Sequence, residues 1–313
     1  MQNTSNNAAK YAFFYMLSLV ALIFMAQSTG MIIFQIINKN IIDIIDNYSD
    51  FSSNALKFAI SALIVSAPIF FLTMRQVYKN LYSGKLDKDS GVRKWLTYFI
   101  ILVSSVVMLG WLIGTINNFL DGELTTKFVL KAITAIFIAA VIFTFYLYDI
   151  KRDQVAGQKD KVVRVYFYGA LIIVIATFVA SLFYVESPRQ TRDRKLDNAI
   201  LDKFDQIDGA MNTYYKENEI LPSSLEELIP EFTYISQKDI MDQVTKEVFG
   251  YKILDANKYE LCANFRLPNI EDEENRYDYH KDRWPHESGY QCLGQKVRKL
   301  DEGNVVPKRT PEF

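Results

Sequence analysis

Residues 95–120 read WLTYFIILVSSVVMLGWLIGTINNFL, a stretch of apolar and small polar side chains without a single charge. An α-helix rises about 1.5 Å per residue, so roughly 20 residues of this kind cross the hydrocarbon core of a bilayer. A buried helix of a soluble protein can be this apolar, but five such stretches in one chain, separated by charged residues, cannot share one soluble core of this size. The stretch therefore predicts a transmembrane helix.

Four further apolar stretches surround this one, two before it and two after it. They are Tyr11–Ile37, Phe58–Met74, Ala132–Tyr148 and Val165–Val185. In the first, Ala26-Gln27-Ser28 resembles a signal-peptide cleavage site. The apolar run nevertheless continues beyond it, past the roughly 7 to 15 residues of a signal-peptide core. We therefore predict five transmembrane helices, the first of them retained.

The charges divide the chain into two parts. Residues 1–185 carry sixteen basic and ten acidic residues, whereas residues 186–313 carry nineteen basic and twenty-six acidic ones. Such an asymmetry indicates two physical environments. The acidic second part argues against a nucleic-acid partner, because phosphate binding requires a basic face.

The basic residues between the spans predict the orientation. With the N-terminus inside, twelve Lys or Arg residues fall in inward segments and four in outward segments. Cytoplasmic loops are enriched in Lys and Arg, so this orientation is favoured, and five spans then place the C-terminus outside. We predict an α-helical polytopic protein of the bacterial cytoplasmic (inner) membrane with a C-terminal extracytoplasmic α+β domain. The predicted domains are residues 1–155 (four transmembrane helices), 156–187 (the fifth helix and its connector) and 188–313 (the extracytoplasmic domain).

The chain has two cysteines, Cys262 and Cys292, and both follow the last apolar stretch. Paired thiols persist as disulfides outside the cytoplasm and are kept reduced inside it. We therefore predict a Cys262–Cys292 disulfide, joining the end of a strand to a neighbouring loop. Two inert buried thiols, or a reactive cysteine served by His286, are the alternatives.

The C-terminal part begins with the signals of a long amphipathic helix. Ser187-Pro188 is an N-cap followed by proline at the first helical position. Apolar residues then recur at three- and four-residue spacing: Leu196, Ile200, Phe204, Ile207, Met211 and Tyr214. The other face carries Asp197, Asp202, Asp205 and Asp208. We interpret it as a solvated acidic face rather than a metal site.

A short helix and two strands are predicted after the long helix. Ser223–Glu227 reads as a capping box that opens the short helix. Phe249–Ile253 and Lys258–Phe265 alternate well enough for two strands around a turn at Asp255–Asn257. The stretch Leu267–Gly289 is acidic and poor in aliphatic residues, so we predict it to be irregular.

The run Lys195–Leu228, in which the long helix ends YYKENEILPSSLEEL, resembles the globular part of type IV pilins and type II secretion pseudopilins. Asp242-Gln243-Val244-Thr245 and Tyr251 resemble the D-P-x-T-x-x-x-Y stretch of those proteins, with Gln243 where proline is usual. The preceding apolar stretch lacks the Gly-Phe-Thr-Leu-x-Glu processing site of pilins and follows four other spans. The resemblance therefore implies a helix packed on a small antiparallel sheet, and not a filament.

The membrane part, roughly Tyr11 to Arg152, resembles a bacterial family of polytopic proteins known only as a domain of unknown function. The stretches that carry this resemblance are STGMIIFQIINK, ALKFAISALIVSAPIFFL, LDKDSGVRKWLTYFIILVSSVVML and NNFLDGELTTKF. Because the family has no assigned activity, the resemblance implies a topology and nothing more.

Polar residues inside the spans are candidate functional positions. Ionisable residues, which usually mark ion or proton paths, are absent from the middle of every predicted span. The mid-depth polar cluster consists of Gln27, Ser28, Thr29, Ser104 and Ser105. We expect hydrogen bonds between helices to account for it, and we interpret Gly110 and Gly114 as a helix-packing face.

Enzyme signatures are missing from the sequence, which has no Gly-rich phosphate loop, HExxH, GxSxG or CxxC motif. His280 and His286 could bind a metal, although neither their spacing nor a third ligand is diagnostic of zinc, and the acidic run Glu271–Glu274 could hold calcium through its oxygen ligands. We interpret both segments as polar, solvated loops. We therefore predict no catalytic residue, no metal and no cofactor.

The predicted function is display of a binding, sensing or scaffolding domain by an integral membrane protein whose biochemical activity the sequence does not specify. Its expected partners are the lipid bilayer and either an extracytoplasmic protein or a second copy of the chain. A transporter or channel subunit with an external accessory domain is the alternative. It is motivated by a faint similarity between residues 37–58 and residues 116–128.

Overall fold

The computed structural model describes residues 2–41, 51–84, 90–152, 157, 160–270 and 279–297, with side chains from Lys10 onward. The chain divides into two compact units between Val185 and Glu186. Over its described residues the first unit contains helices and turns but no strand, and the second combines helices with a small sheet.

Five long helices make up the described part of the first unit. They are α1 (Gln2–Asn40), α2 (Ser53–Tyr82), α3 (Gly91–Leu120), α4 (Thr126–Lys151) and α5 (Lys161–Leu182). All five are long and apolar enough to cross a membrane. Each begins several residues before the apolar stretch that predicts it.

Polar N-caps explain the early starts of α2, α3, α4 and α5. The side chains of Ser52, Ser90, Thr125 and Asp160 each accept a hydrogen bond from a backbone N–H in the first turn of α2, α3, α4 and α5. A capped first turn satisfies donors that otherwise lack a partner within the helix. The polar segments that precede the apolar stretches therefore join the helices.

The helices of the first unit alternate in direction, as contacts at their ends show. At one end, the C-terminal turns of α2 and α4 lie beside the first turn of α3, because Tyr78 and Arg93 both contact Asp149. At the opposite end, Asn40 Nδ2 at the end of α1 donates to Tyr184 Oη, just after α5, at 2.9 Å. The N-terminal end of α1 and the C-terminal end of α5 are therefore on opposite sides of the bundle.

The second unit packs a long helix against a three-stranded antiparallel sheet of order β1-β2-β3. Its elements are α6 (Pro188–Asn218), a 3-10 turn (Leu225–Glu227), α7 (Leu228–Glu231), β1 (Gly250–Asp255), β2 (Lys258–Phe265), α8 (Tyr279–Arg283) and β3 (Gly289–Lys296). The predicted start of α6 is confirmed: Ser187 and Gln190 form a reciprocal capping box, with Pro188 at the first helical position. Both predicted strands are present: β2 has the predicted bounds, and β1 begins one residue and ends two residues later than predicted.

The apolar stripe of α6 faces the core of the second unit. Ile200, Phe204, Ile207 and Met211 are buried, and Tyr214 packs against them while half-buried. Phe204 is fully buried and makes edge-to-face contacts with Phe249, Phe265 and Trp284, at centroid distances of 5.1 to 6.2 Å. One aromatic side chain on α6 therefore contacts three different segments of the chain.

The predicted loop position of Cys292 is wrong. Cys292 lies in the middle of β3, directly opposite Cys262 in the middle of β2. The strand sequence GYQCLGQK has two glycines and weak alternation, so it carries little strand signal of its own. It is a strand because it pairs with β2 along its whole length, which is a long-range contact.

The irregular stretch predicted before β3 is also partly wrong. Residues 279–283 form a helical turn, and Trp284 directly after it is completely buried in the core. Residues 271–278, which include the acidic run Glu271–Glu274, lie outside the described residues.

The predicted capping box before α7 takes a different form. Ser224 makes no side-chain capping bond, and a 3-10 turn stands where the sequence predicts the start of an α-helix. Instead, Ser223 N donates to Glu227 Oε2 at 2.8 Å, and the Ser223 hydroxyl also contacts the Glu227 carboxylate. These hydrogen bonds hold the pKa of Glu227 below its ordinary value.

Candidate functional site

A buried charge cluster closes one end of the first unit. Arg93 in α3 and Asp149 in α4 are 5% and 4% exposed. Arg93 Nη2 lies 2.6 Å from Asp149 Oδ2 and 3.0 Å from the Asp149 carbonyl oxygen. Tyr78 Oη in α2 donates to Asp149 Oδ1 at 3.0 Å, and the Arg152 guanidinium contacts the same carboxylate oxygen. One carboxylate thus joins α2, α3 and α4.

Asp160, the N-cap of α5, extends this charge cluster. Its Oδ2 accepts a hydrogen bond from Tyr148 Oη at 2.9 Å and lies 3.4 Å from Arg152 Nη1. Burial raises the pKa of Asp160, but hydrogen bonds from Tyr148 and from the backbone of Val162 and Val163, with the Arg152 charge, bring it below its ordinary value. The cluster therefore pairs two guanidinium groups with two carboxylates.

Sequence reasoning missed this charge cluster because it treated Arg93 and Arg152 as loop charges that set the orientation. The sequence feature that could have revealed the cluster is the position of its charged residues within the helices. Arg93 stands at the start of one span and Asp149 at the end of the next, and such positions lie side by side when the two helices are antiparallel neighbours. Opposite charges at matching ends of adjacent spans therefore predict a pair.

The expectation of hydrogen bonds between helices at mid-depth is wrong for three of the five polar residues. Thr29 Oγ1 donates to Met25 O at 2.7 Å, Ser104 Oγ to Ile100 O at 2.9 Å and Ser105 Oγ to Ile101 O at 2.8 Å. Each acceptor lies four residues earlier in the same helix, a common bond for Ser and Thr in helices. The hydroxyls are therefore satisfied within their own helices.

The other two polar residues, Ser28 and Gln27, differ in exposure. Ser28 is buried among the helices, whereas Gln27 is exposed on the surface of the unit. No described residue forms a hydrogen bond with the Gln27 amide. Gln27 also lines a cleft of about 280 Å³ between α1, α3 and α4.

The cleft between α1, α3 and α4 is predominantly apolar. Apart from Gln27 and Ser104, it is lined by aliphatic and aromatic side chains, and Phe34 and Trp111 meet edge-to-face at its wall with their centroids 5.5 Å apart. No Asp, Glu, Lys, Arg or His among the described residues lines it. A neutral, largely apolar group is the kind of occupant that it fits.

Of the two glycines predicted to form a helix-packing face, Gly110 and Gly114, only Gly114 lies against another helix. A Cβ placed at Gly114 would lie 3.7 Å from the Phe128 ring of α4, which is an ordinary packing contact. A Cβ at Gly110 would have no neighbour within 4 Å among the described residues, because Gly110 is exposed.

In the second unit, the interpretation of the aspartates of α6 as a solvated face is wrong. Asp197 and Asp208 are 2% and 3% exposed. Asp197 Oδ2 accepts hydrogen bonds from the backbone N–H groups of Arg266 and Leu267, each at 2.9 Å, and so fixes the chain after β2. Asp202 alone of the four is largely exposed.

Asp205 and Asp208 hold the segment around α8. Trp284 Nε1 donates to Asp205 Oδ1 at 2.8 Å, and Arg283 forms ion pairs with both carboxylates. Tyr259 Oη in β2 donates to Asp208 Oδ1 at 2.5 Å. Burial, together with the Asp208 charge, raises the pKa of Tyr259 well above its ordinary value, so its hydroxyl stays protonated as a donor. The carboxylates are structural anchors for β2 and α8.

The two histidines have separate partners. His280 Nε2 lies 3.2 Å from Asp205 Oδ2 and 3.4 Å from Asp202 Oδ1. His286 is 3% exposed, and its ring stacks on Phe265 with centroids 3.8 Å apart. Within the described part of the chain, the three potential metal ligands that converge are Glu260, Cys262 and Cys292. The two sulfur atoms lie at disulfide distance, 2.11 Å, so they are bonded to each other rather than available to a metal.

Acidification is expected to destabilise the second unit through His286. Burial lowers the pKa of His286 below its ordinary value near 6.5. Above pH 6.5 the histidine is neutral in both the folded and unfolded states; below it, the unfolded chain binds a proton more readily, so stability falls by up to about 1.4 kcal/mol per pH unit. Limited proteolysis of the second unit in the full chain at pH 7.5 and pH 5.5 measures this loss.

His286→Phe is the matched control for the acid effect, because phenylalanine keeps the stacked ring on Phe265 and has no titratable group. We expect the variant to lose less stability than the wild type between pH 7.5 and pH 5.5. Equal losses in the two proteins would show that other groups cause the acid sensitivity.

Residues 11–146 match the family described as Domain of unknown function (DUF5671). The match runs from Tyr11 in α1 through α2 and α3 into α4, and it ends before Asp149, α5 and the second unit. The match confirms the predicted resemblance of this part of the chain to a domain of unknown function. No curated protein and no solved structure matches the chain significantly.

Proposed function

We propose that this chain is a multi-pass protein of the bacterial cytoplasmic membrane that displays its second unit outside the cytoplasm. In this proposal the second unit is a binding, sensing or scaffolding module without enzymatic activity. Its partners are the surrounding lipid and either an extracytoplasmic protein or a second copy of the chain, and not nucleic acid.

The observation that carries this proposal is the disulfide between two strands in a unit that follows five apolar helices. Cys262 and Cys292 are direct cross-strand partners. A cysteine pair of this kind persists in an oxidising compartment and is reduced in the cytosol. Since α1 begins and α5 ends on opposite sides of the bundle, five membrane crossings would put the N-terminus and Glu186 on opposite sides of the membrane.

The fold of the second unit supports the proposed resemblance to pilins and pseudopilins. A long helix with one apolar face packs against a small antiparallel sheet, which is the architecture that the resemblance implies. We propose that this unit uses the pilin-like fold as a non-filamentous module at the end of a membrane anchor. The four preceding spans distinguish it from a filament subunit.

Thiol trapping in intact cells tests the orientation. Single cysteines are introduced into a variant in which Cys262 and Cys292 are alanine. We expect Asn218→Cys, in the exposed last turn of α6, to react with a membrane-impermeant maleimide, and Ser83→Cys, exposed after α2, to react only after cell lysis. The reverse pattern would place the second unit in the cytoplasm and overturn the proposal.

A transporter or channel subunit is the second candidate, and the cleft lined by Gln27 and Ser104 favours it. A cleft of about 280 Å³ with one unpaired amide suits a small neutral solute. Residues 42–50 of the first similar segment lie outside the described residues. The test is uptake of uncharged solutes into liposomes that contain the full chain, with Gln27→Leu as the comparison. Uptake that depends on Gln27 would establish this candidate over the display module.

A further inference from the structure

We infer that the cleft between α1, α3 and α4 is the contact surface of a homodimer within the membrane, formed around the Gln27 amide. This inference rests on the proposed insertion of the five helices. It assigns a second copy of this chain to a surface that the first unit leaves open.

The position of Gln27 is the first step of the argument. Gln27 lies near the middle of the span Lys10–Asn40, about 20 Å along the helix from its end at Asn40. It is exposed, and no described residue hydrogen-bonds to its amide. Within the hydrocarbon core there is no water to satisfy an amide, so leaving it unpaired is costly. We therefore expect a partner that provides hydrogen-bonding groups to Gln27 near the middle of the membrane.

The hydrogen-bonding groups of the Gln27 amide indicate which partner would lie against the cleft. A glutamine offers two donors and one acceptor oxygen, and lipid acyl chains offer neither. Charged partners are disfavoured because no ionisable residue among those described lines the cleft. A second Gln27 supplies both a donor and an acceptor, and a two-fold axis beside it lets each amide bond to the other. Polar side chains of this kind are known to join helices in membranes.

The other polar side chains of the cleft do not compete for this role. Ser104 donates to the Ile100 carbonyl, so its hydroxyl proton is already used. Gln27 is therefore the group around which the second copy would be aligned.

Cross-linking in native membranes tests the contact surface. Ile23 lies one turn before Gln27, is 50% exposed and lines the same cleft, so Ile23→Cys reports the contact while leaving the amide intact. Val65→Cys in α2 and Ile172→Cys in α5 are exposed positions outside the cleft, 61% and 66% accessible. We expect disulfide-linked dimers with Ile23→Cys and not with the two controls. Equal cross-linking at the three positions, or none at Ile23→Cys, would overturn the inference.

The role of the amide is tested separately. In liposomes of increasing lipid-to-protein ratio, Gln27→Leu is expected to weaken dimerisation about 3- to 30-fold, the usual effect of a hydrogen bond between helices. Phe24→Leu, an exposed position of α1 outside the cleft, is expected to change it little. If Gln27→Leu dimerises as well as the wild type, the amide does not align the dimer and the inference fails.

Two results separate this inference from the proposed function. Carbonate extraction of membranes shows first whether the chain is inserted; a chain released by carbonate would refute the proposed membrane function itself. An inserted chain that stays monomeric refutes the dimer alone. A monomer whose solute uptake depends on Gln27 would also refute the dimer, and it would favour the transporter.

Discussion

Replacing Asp149 with asparagine is expected to destabilise the first unit by about 3–5 kcal/mol, the typical cost of removing one partner from a buried ion pair. The variant keeps the size of the side chain but removes the charge that faces Arg93 and Arg152. Both guanidinium groups would then stay buried beside a neutral amide. Unfolding of the detergent-solubilised chain, titrated with sodium dodecyl sulfate, measures the loss.

Asp121→Asn is the control for the Asp149 variant. Asp121 is the exposed C-cap of α3 and accepts a hydrogen bond from Asn117 Nδ2 at 2.8 Å. An exposed polar contact of this kind contributes little, so we expect a loss below about 1 kcal/mol. If the two variants unfold alike, the Arg93–Asp149 pair does not hold the helices together.

The double variant Arg93→Met with Asp149→Leu tests whether the loss in Asp149→Asn comes from leaving the buried Arg93 charge without its partner. It removes both charges of the buried pair and fills the site with apolar side chains, while Arg152 keeps its contact with Asp160. Replacement of a buried pair by packed apolar groups is often neutral or stabilising. We therefore expect the double variant to recover much of the stability that Asp149→Asn loses.

Replacing Cys262 and Cys292 together with alanine is expected to destabilise the second unit by about 3–4 kcal/mol, because a disulfide that closes a loop of this length restricts the unfolded chain. The two residues are separated by 30 positions. The second unit spans Glu186–Phe313, and for a domain of this size such a loss lowers the melting temperature by roughly 10 to 15 °C. Thermal unfolding of the full chain, followed by proteolysis within the second unit, measures the change.

Reductant is the control for the cysteine variant. It should lower the melting temperature of the wild-type second unit and leave the variant unchanged, since the variant has no bond to reduce. The first unit, which has no cysteine, should respond to neither treatment. A wild-type second unit that is insensitive to reductant would contradict the role assigned to the disulfide.

The long elements of this fold could be predicted from the sequence because their signals are local. A span such as residues 95–120 is apolar on every side, and the start of α6 has both a capping serine and a proline. These features depend on neighbours within a few residues of each other. They need no knowledge of what packs against the helix.

The elements that could not be predicted depend on distant partners. β3 is a strand because β2 lies beside it, and Trp284 is buried because α6 offers it the Asp205 carboxylate. The aspartates of α6 show the same limit, since sequence spacing places them on one face but does not reveal what covers that face. A charge pattern alone does not separate a solvated surface from an anchoring one.

The same limit applies to the candidate sites in the first unit. Gln27 could be singled out from the sequence as a polar residue at mid-depth, but its exposure depends on how α1 is rotated against α3 and α4. Arg93 and Asp149 are 56 positions apart. Their pairing becomes visible only when two antiparallel helices bring matching ends together.

The bond between β2 and β3 closes a covalent ring that contains every residue between Cys262 and Cys292, Trp284 among them. A single cut by a protease anywhere in this ring would leave both pieces attached to the first unit. On a denaturing gel, the nicked chain would run as one species until it is reduced and as two species afterwards. If the second unit lies outside the cytoplasm, as we propose, it would keep all of its parts after one break, which is an advantage in a compartment rich in proteases.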